Sequence, residues 1–175
     1  MKVIGIMGKA GSGKNTVAGI LAATLVDQGF SAIVDAFGVD IKKCAREAGW
    51  DGVKDDTWRR NLQDLGNAMR RKDPDWLIAL IDKRSFQAAH DYIIIADVRM
   101  PNEAEWCRRH GVLWHVFGRG GLDGPAGEDV TERLAVDDLP GQRTITSIVN
   151  SSSLEDLTRL VHMAVADGRH DIDLI

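Results

Sequence analysis

Cysteine and long apolar runs are both scarce in this sequence. The two cysteines, Cys44 and Cys107, lie far apart, with no CxxC motif and no histidine at the spacing of metal ligands. The pattern therefore predicts neither a disulfide framework nor a zinc site, and it favours a reduced, cytoplasmic protein. Purely apolar runs such as residues 92–96 are short, with far fewer than the roughly 20 residues that cross a bilayer. We expect neither a membrane span nor a signal peptide.

An excess of positive charge is absent as well. The chain has 22 Lys and Arg against 26 Asp and Glu, which gives a formal net charge of -4. No overall positive field would draw it to nucleic acid or to an anionic membrane, so neither is an expected partner. Any basic cluster must then serve a local purpose. The length of 175 residues, 44% of them hydrophobic, predicts one domain over residues 1–175.

Segments with strand and helix periodicity alternate along the chain. Short apolar runs predict five strands, at residues 2–7, 31–37, 92–98, 112–117 and 144–150. Helical patterns cover residues 14–27, most of 39–87, 101–109 and 153 to about 167. This alternation, with a glycine-rich first turn, predicts a three-layer α/β fold around a mainly parallel five-stranded sheet. Ligands are expected at the carboxyl ends of its strands.

Glycine and proline divide the chain further. The helical stretch breaks at residues 49–56 and at Asp73-Pro74, where Pro74 is expected to open a helix behind an aspartate cap. Residues of about 38–88 would then form a helical substrate-binding region. Residues 118–141 are rich in glycine and predict a long loop that could close as a lid. Ser153, with Asp156 three residues on, predicts the start of the last helix.

The first strand leads directly into a run that fits the pattern G-x-x-x-x-G-K. The run contains Gly8, Ala10, Gly11, Ser12, Gly13, Lys14, Asn15 and Thr16. Glycines let backbone N–H groups turn onto phosphate oxygens, and the positive end of the following helix and the lysine ammonium add charge. The strand before and the helix after favour a nucleotide phosphate site over a purely structural glycine turn.

Asn15 stands where this pattern usually has Ser or Thr. Its amide oxygen would replace the hydroxyl that usually contacts Mg²⁺, and amide oxygens are less common ligands for that ion. Thr16 could compensate, or Mg²⁺ could be held mainly by waters and by an acid elsewhere.

That acid is Asp97, which ends the apolar run before Val98 and Arg99. An aspartate at the carboxyl end of a buried strand lies where a metal bound to phosphates would lie, and it can hold Mg²⁺ through water. The structural alternative is a helix cap, or a loop salt bridge between Asp97 and Arg99. We favour the functional interpretation.

Residues 59–72 predict a helix with arginines at both ends and an apolar face. In an acidic protein with a phosphate loop, such a basic cluster fits a second anionic substrate, because guanidinium groups bind monophosphates through paired hydrogen bonds. We expect Arg59 and Arg71 to clamp that phosphate together, and Arg60 and Arg70 to be solvated. Arg119, Arg133 and Arg143 lie in or beside the glycine-rich segment, and closure of that segment could bring one of these guanidinium groups onto the transferring group.

Several segments together resemble the deoxynucleoside monophosphate kinases encoded by bacteriophages, a branch of the P-loop kinases. The matching segments keep the family's order: residues 8–16, Arg59-x-x-Leu62-Gln63-x-Leu65-Gly66 with Arg71 and Trp76, residues 97–105, Thr131-Glu132 and residues 150–157. The string at residues 97–105, DVRMPNEAE, is the most specific of them. The family usually has Asp at the position of Asn15, and residues 37–42 keep only the ends of the family's string after the second strand.

The resemblance implies a cytoplasmic phosphotransferase that uses ATP and Mg²⁺ and acts on a nucleoside monophosphate. It implies that residues 8–16 and Asn150 hold ATP, and that Asn15 and Asp97 lie near the metal. It implies catalytic roles for Lys14, Asp97, Arg99 and Arg119. The residues implied for the acceptor are Lys42, Arg59, Arg71, Trp76 and Arg99. A second copy of the chain, as a homodimer, stays open.

Two other functions remain open. One is a P-loop kinase for another small anion, such as dephospho-coenzyme A, gluconate or phosphomevalonate. The other is a nucleotide-binding switch that signals by loop ordering without phosphorylating a small molecule.

Overall fold

Five parallel strands form the centre of the molecule in the computed structural model, which describes residues 1–53, 55–118 and 145–169. The strands are β1 (Lys2–Met7), β2 (Ala32–Asp35), β3 (Tyr92–Ile95), β4 (Gly111–Phe117) and β5 (Thr146–Val149). Their order across the sheet is β2-β3-β1-β4-β5, and each neighbouring pair is parallel. The predicted α/β fold with a parallel five-stranded sheet is confirmed.

Six helices accompany the sheet in the described part of the chain. They are α1 (Lys14–Asp27), α2 (Gly38–Glu47), α3 (Asp56–Lys72), α4 (Trp76–Ala88), α5 (Pro101–His110) and α6 (Leu154–Ala166). The predicted cap of the last helix is confirmed, because Ser153 Oγ accepts the Asp156 N–H at 3.1 Å. None of these described helices combines the length and the hydrophobicity needed to cross a membrane.

Alternating side chains of the strands supply two separate cores. Ile4 and Ile6 of β1 pack with apolar residues of α1 and α6 on one face of the sheet. Val3 and Met7 pack on the other face with residues of α2, α4 and α5. Successive side chains of a strand point to opposite faces, so a strand buried on both sides reads as a continuous apolar run. The result is the three-layer arrangement predicted from the sequence.

Glycine allows α5 to pack directly on the sheet. A Cβ atom on Gly5 would lie 2.7 Å from Cys107 Sγ and 2.9 Å from Leu113 Cδ1. A Cβ atom on Gly111 would lie only 1.9 Å from the carbonyl oxygen of Val3. Any side chain at these two positions would push α5 or β4 away from β1. The close packing therefore fixes α5, and with it the chain segment that follows β3.

Two strands end earlier than the apolar pattern predicts. Residues 31–37 and 92–98 were expected to be strands, but β2 ends at Asp35 and β3 at Ile95. The Ala96 N–H still bonds to the Asp35 carbonyl oxygen at 3.0 Å. Beyond that point the N–H groups of the segment that follows β2 bond to a side chain, so the backbone hydrogen bonds between β2 and β3 end.

The helix expected at Pro74 begins two residues later. Asp73 Oδ1 accepts the N–H of Asp75 at 3.0 Å, which makes a side-chain-closed turn of residues 73–75. Asp75, and not Asp73, stands at the N-cap position of α4. The proline therefore lies in the turn between α3 and α4.

The carboxyl ends of β1 and β3 define the position of a ligand site. These two strands are neighbours, yet α1 follows β1 on one face and α5 follows β3 on the other. The two connections diverge and leave a crevice beyond the strand ends, which is where open parallel sheets bind their ligands. Gly8 follows β1 at this crevice, and Asp97 follows β3.

Candidate active site

The loop between β1 and α1 requires glycine at three positions. Gly8, Gly11 and Gly13 have φ values of 145°, 76° and 97°, a region that other residues rarely adopt. Gly8 also has no space for a side chain, because its Cβ atom would lie 2.4 Å from the Val116 carbonyl oxygen. These three conformations fold the loop tightly against the end of β4.

The loop ends at the uncapped start of α1. The N-cap residue is Gly13, and no side chain caps the helix. Val17 makes the first intrahelical bond, to the Gly13 carbonyl oxygen at 2.9 Å. Asn15 and Thr16 are exposed on the first turn. Orphan N–H groups and the helix dipole make such a start favourable for an anion.

Lys14 folds back over this loop. Its Nζ atom donates to the carbonyl oxygens of Gly8, at 2.7 Å, and Lys9, at 2.6 Å. The ammonium group is therefore held above the loop by local contacts. A phosphate on the loop would exchange these carbonyls for charged oxygens, which form stronger hydrogen bonds with an ammonium group.

Asn150 tethers the loop from the end of β5. It is buried, and its Nδ2 atom donates to the Ser12 carbonyl oxygen at 2.8 Å. A Cβ atom on Gly13 would lie 2.3 Å from the same Nδ2 atom. The Asn150 N–H bonds to the Phe117 carbonyl oxygen at 2.7 Å. The side chain predicted to contact ATP therefore positions the phosphate loop against β4 and β5.

Asp97 lies at the crevice and caps α2. Its Oδ1 atom accepts the Phe37 N–H at 2.7 Å, and its Oδ2 atom accepts the Gly38 N–H at 2.8 Å. No ion pair joins Asp97 and Arg99, and Arg99 is exposed. Of the two structural alternatives, the helix cap is therefore the one present. Each carboxylate oxygen keeps a further lone pair, so the cap does not exhaust the ligand capacity of Asp97.

An arginine between two aspartates flanks this position. Arg84 Nε donates to Asp35 Oδ2 at 3.0 Å, and Arg84 Nη1 donates to Asp40 Oδ2. Burial by itself lowers the pKa of Arg84, but hydrogen bonds and charge from the two aspartates outweigh it and raise that pKa. The guanidinium stays charged and ties α4 to β2 and α2.

Arg70 was expected to be solvated, but in the structure it is paired with a buried carboxylate. Its Nε and Nη2 atoms donate to Oε1 of Glu103 at 3.2 and 2.7 Å. Only 17% of the Arg70 side chain and 1% of the Glu103 side chain are exposed. Arg60, by contrast, is exposed as predicted. The helical pattern alone could not separate the two, because the partner of Arg70 is 33 residues away.

The structure separates Arg59 from Arg71. Both are exposed, but Arg59 lies near the first turn of α3 and Arg71 in the last. Twelve residues of helix span about 18 Å, so one phosphate could touch both only if each side chain were fully extended along the helix. The joint clamp therefore stays a prediction, and it requires both side chains to extend along α3.

The remaining predicted acceptor residues lie on different elements. Lys42 is half-buried on α2, Trp76 is half-buried at the start of α4, and Arg99 follows β3. Arg119 and the predicted lid beyond Gly118 lie outside the described residues.

Oxygen ligands for Mg²⁺ are available at the crevice. Asp97 offers a half-exposed carboxylate, and Asn15 and Thr16 offer an amide oxygen and a hydroxyl. Within residues 1–53, 55–118 and 145–169, no cluster of three or more His, Cys, Asp or Glu side chains could hold a metal alone. This donor set fits Mg²⁺, which binds through one or two protein oxygens together with substrate phosphates and waters.

Sequence reasoning missed two ion-paired groups, Asp35–Arg84–Asp40 and Arg70–Glu103. Asp35 gives a weak signal in the sequence, because it is an acidic residue at the end of an apolar segment. Glu103 lies in the string DVRMPNEAE of residues 97–105. Arg84 gave none, because its partners are 49 and 44 residues away.

No protein-family profile matches the sequence, and no curated protein matches it. Solved structures do resemble the fold. A putative kinase from Chloroflexus aurantiacus has a TM-score of 0.55 and 14% identity, covering 95% of this chain and 97% of that chain. Shikimate kinase from Acinetobacter baumannii, solved in complex with shikimate, has a TM-score of 0.54 and 15% identity, covering 97% and 95%.

These likenesses establish the architecture of the chain. The chain, with its parallel five-stranded sheet and a glycine loop after the first strand, shares its overall fold with these two solved structures. At such identities the similarity concerns the fold alone.

Proposed function

We propose that this protein is a kinase that transfers the γ-phosphoryl group of ATP to the phosphate of a deoxynucleoside monophosphate. The observation that carries the proposal is the glycine loop with Lys14 at the carboxyl end of β1, facing the crevice where Asp97 follows β3. A phosphate cradle and an acid at one strand edge are the parts that phosphoryl transfer requires.

In this proposal the loop and the start of α1 bind the ATP phosphates. Lys14 leaves the carbonyl oxygens of Gly8 and Lys9 and neutralises charge on the transferring group. Asn150 keeps the loop in place. Bound Mg²⁺ would supply charge neutralisation of the phosphate oxygens. Asp97 would orient it, with Asn15 as a second oxygen donor.

The acceptor would lie on the side of the helical region, residues 38–88. Lys42, Arg59, Arg71, Trp76 and Arg99 are the proposed acceptor residues, and Arg99 and Arg119 are proposed to stabilise the transferring charge. The motifs that resemble the bacteriophage enzymes support the deoxynucleotide acceptor. The fold shared with shikimate kinase supports the broader class of small-molecule acceptors.

An acceptor panel tests this proposal. Formation of ADP from ATP and Mg²⁺ is measured alone and with each deoxynucleoside monophosphate, each ribonucleoside monophosphate, dephospho-coenzyme A, gluconate and shikimate. We expect turnover to depend on at least one deoxynucleoside monophosphate. Turnover that needs no acceptor would indicate a nucleotide switch. Turnover only with a non-nucleotide would indicate another P-loop kinase and would contradict the proposal.

A further inference from the structure

A cleft of about 370 Å³ opens between the end of α3 and the start of α5. It is lined by Asn67, Arg70, Arg71, Pro74, Met100 and Asn102. Two of these are arginines from adjacent positions of α3. Met100 and Asn102 belong to the segment just after Asp97 and Arg99. The cleft therefore adjoins the part of the chain that carries the proposed transfer residues.

A buried carboxylate organises the wall of this cleft. Glu103 Oε1 accepts from Arg70 Nε and Nη2, and Glu103 Oε2 accepts the N–H groups of Arg99 and Met100 at 2.9 and 3.0 Å. Burial raises the pKa of Glu103, while Arg70 and the two backbone N–H groups oppose that shift. One side chain thus fixes both the Arg70 guanidinium and the backbone after β3.

Arg70 keeps donors that this pairing does not use. A guanidinium has five N–H groups, and Glu103 receives one from Nε and one from Nη2. No described residue accepts a hydrogen bond from Nη1. The Cβ atom of an alanine at Gly66 would lie 3.2 Å from this Nη1 atom, so glycine gives the guanidinium its space. A pre-positioned planar donor group binds an oxyanion with little loss of conformational freedom.

The acids at the rim of the cleft are engaged in the turn between α3 and α4. Asp73 Oδ1 accepts the Asp75 N–H, and Asp75 Oδ1 accepts from Asn102 Nδ2 at 2.9 Å. The same Nδ2 atom donates to the Pro74 carbonyl oxygen at 2.8 Å. These bonds join the turn to the first turn of α5. The recognition of an anion here would depend on directed N–H groups more than on net charge.

We propose that Arg70 binds the phosphate of a phosphomonoester in this cleft and that Glu103 is its positioning residue. Arg71 lines the same cleft and supplies a second guanidinium. The proposal rests on the proposed function in one respect, namely that the phosphomonoester is the acceptor nucleotide.

Calorimetry with a ligand that lacks a base tests the site without turnover. The binding of 2-deoxyribose 5-phosphate and of inorganic phosphate is measured in a Lys14→Ala background, which disables the phosphate loop. Arg70→Gln should lower the affinity for the sugar phosphate at least tenfold. Arg60→Gln, an exposed arginine of the same helix, should stay within about twofold. Glu103→Gln should weaken binding several-fold, because an amide cannot accept all four hydrogen bonds.

A conservative variant protects the test against loss of folding. Arg70→Lys keeps a charge beside Glu103 but loses the planar fork, and it should bind the sugar phosphate several-fold more weakly than the parent protein. Circular dichroism and thermal unfolding establish that each variant is folded. Equal affinity in the parent, Arg70→Lys and Arg60→Gln proteins would overturn the proposal. The absence of measurable binding of either ligand to the Lys14→Ala parent would overturn it too.

The two proposals fail in different ways. If binding of the sugar phosphate depends on Arg70 but no acceptor stimulates ADP formation, the result supports the phosphate site and contradicts the proposed kinase activity. If turnover depends on a deoxynucleoside monophosphate but Arg70→Lys leaves the acceptor KM unchanged, the result supports the kinase activity and contradicts the phosphate site.

Discussion

The charged side chains at the phosphate loop and at the helical region between β2 and β3 form hydrogen bonds of different sequence separation, although Asn150 also tethers the loop backbone from 138 residues away. In the loop, Lys14 bonds to carbonyl oxygens only six and five residues away. In the helical region, Asp97 holds two N–H groups 60 and 59 residues away, and Arg70 pairs with a carboxylate 33 residues away.

Because of this difference, activity and stability depend on different contacts in the phosphate loop but on shared contacts in the helical region. A change at a loop side chain removes local contacts and leaves the two cores intact. A change at a charged residue of the helical region also removes a contact between distant elements. We therefore expect activity and stability to respond independently in the loop and together in the helical region.

The largest effect is expected at Lys14. Lys14→Ala should abolish turnover, because the ammonium stabilises charge on the transferring group. The free energy of unfolding should change by less than about 1 kcal/mol, since the hydrogen bonds of Lys14 to the carbonyl oxygens of Gly8 and Lys9 lie within the loop and not between the elements of the core. ATP turnover and urea denaturation are measured on the same preparation. More than a tenth of the wild-type turnover would contradict the assignment of the loop.

Substitution of Asp97 should lower both the activity and the stability of the protein. Asp97→Asn should lower kcat by about a hundredfold or more with little change in ATP affinity, because a group that orients the metal acts mainly in the transition state. It should also cost about 1–3 kcal/mol of stability, since the amide nitrogen cannot accept the second backbone N–H. Glu105→Gln, at a more exposed carboxylate, is the control. An unchanged kcat with reduced stability would return Asp97 to a purely structural cap.

A double-mutant cycle tests the separation of Arg59 from Arg71. Arg59→Ala and Arg71→Ala should each raise the acceptor KM about ten- to a hundredfold, as expected for charge-assisted bonds of about 1.5–3 kcal/mol. Because the two residues are three turns apart, their effects should add within about 0.5 kcal/mol. Arg60→Ala should change the KM less than twofold. A coupling energy above 1 kcal/mol would support the joint clamp.

The smallest effect is expected at Asn15. Asn15→Leu should raise the Mg²⁺ concentration needed for half-maximal rate a few-fold, whereas Asn15→Asp should keep or raise activity. Neither change should alter thermal unfolding, because the side chain is exposed. If Asn15→Leu titrates with Mg²⁺ like the wild type, Asn15 serves only as a first-turn residue of α1.

The loop could be predicted from the sequence because its information is local. The loop's three glycines and its lysine, together with the apolar strand before them and the helix after them, lie within about 25 residues. Each acts through backbone conformation or a contact with near neighbours. The last helix was predictable for the same reason, since Ser153 caps it through a residue three positions on. The buried strands were predictable as continuous apolar runs.

The ends of β2 and β3 and the role of each arginine were not predictable in this way. Residues 36 and 37 have the apolar character of the strand before them, but the Asp35 and Asp97 carboxylates accept the N–H groups where the segment turns into α2. Arg60 and Arg70 look alike in a helical pattern, yet only Arg70 meets a buried glutamate.

The sequence by itself determined the layered fold, the parallel sheet and the phosphate loop, because periodicity and backbone conformation depend on residues near one another. The tertiary structure decided which charged groups meet at the carboxyl edge. Parallel strands return there only after long crossovers, so partners such as Arg84 of α4 and Asp35 of β2 become neighbours only when the helix packs against the sheet. The role of a charged side chain depends on which partner it contacts and on how deeply the two groups are buried.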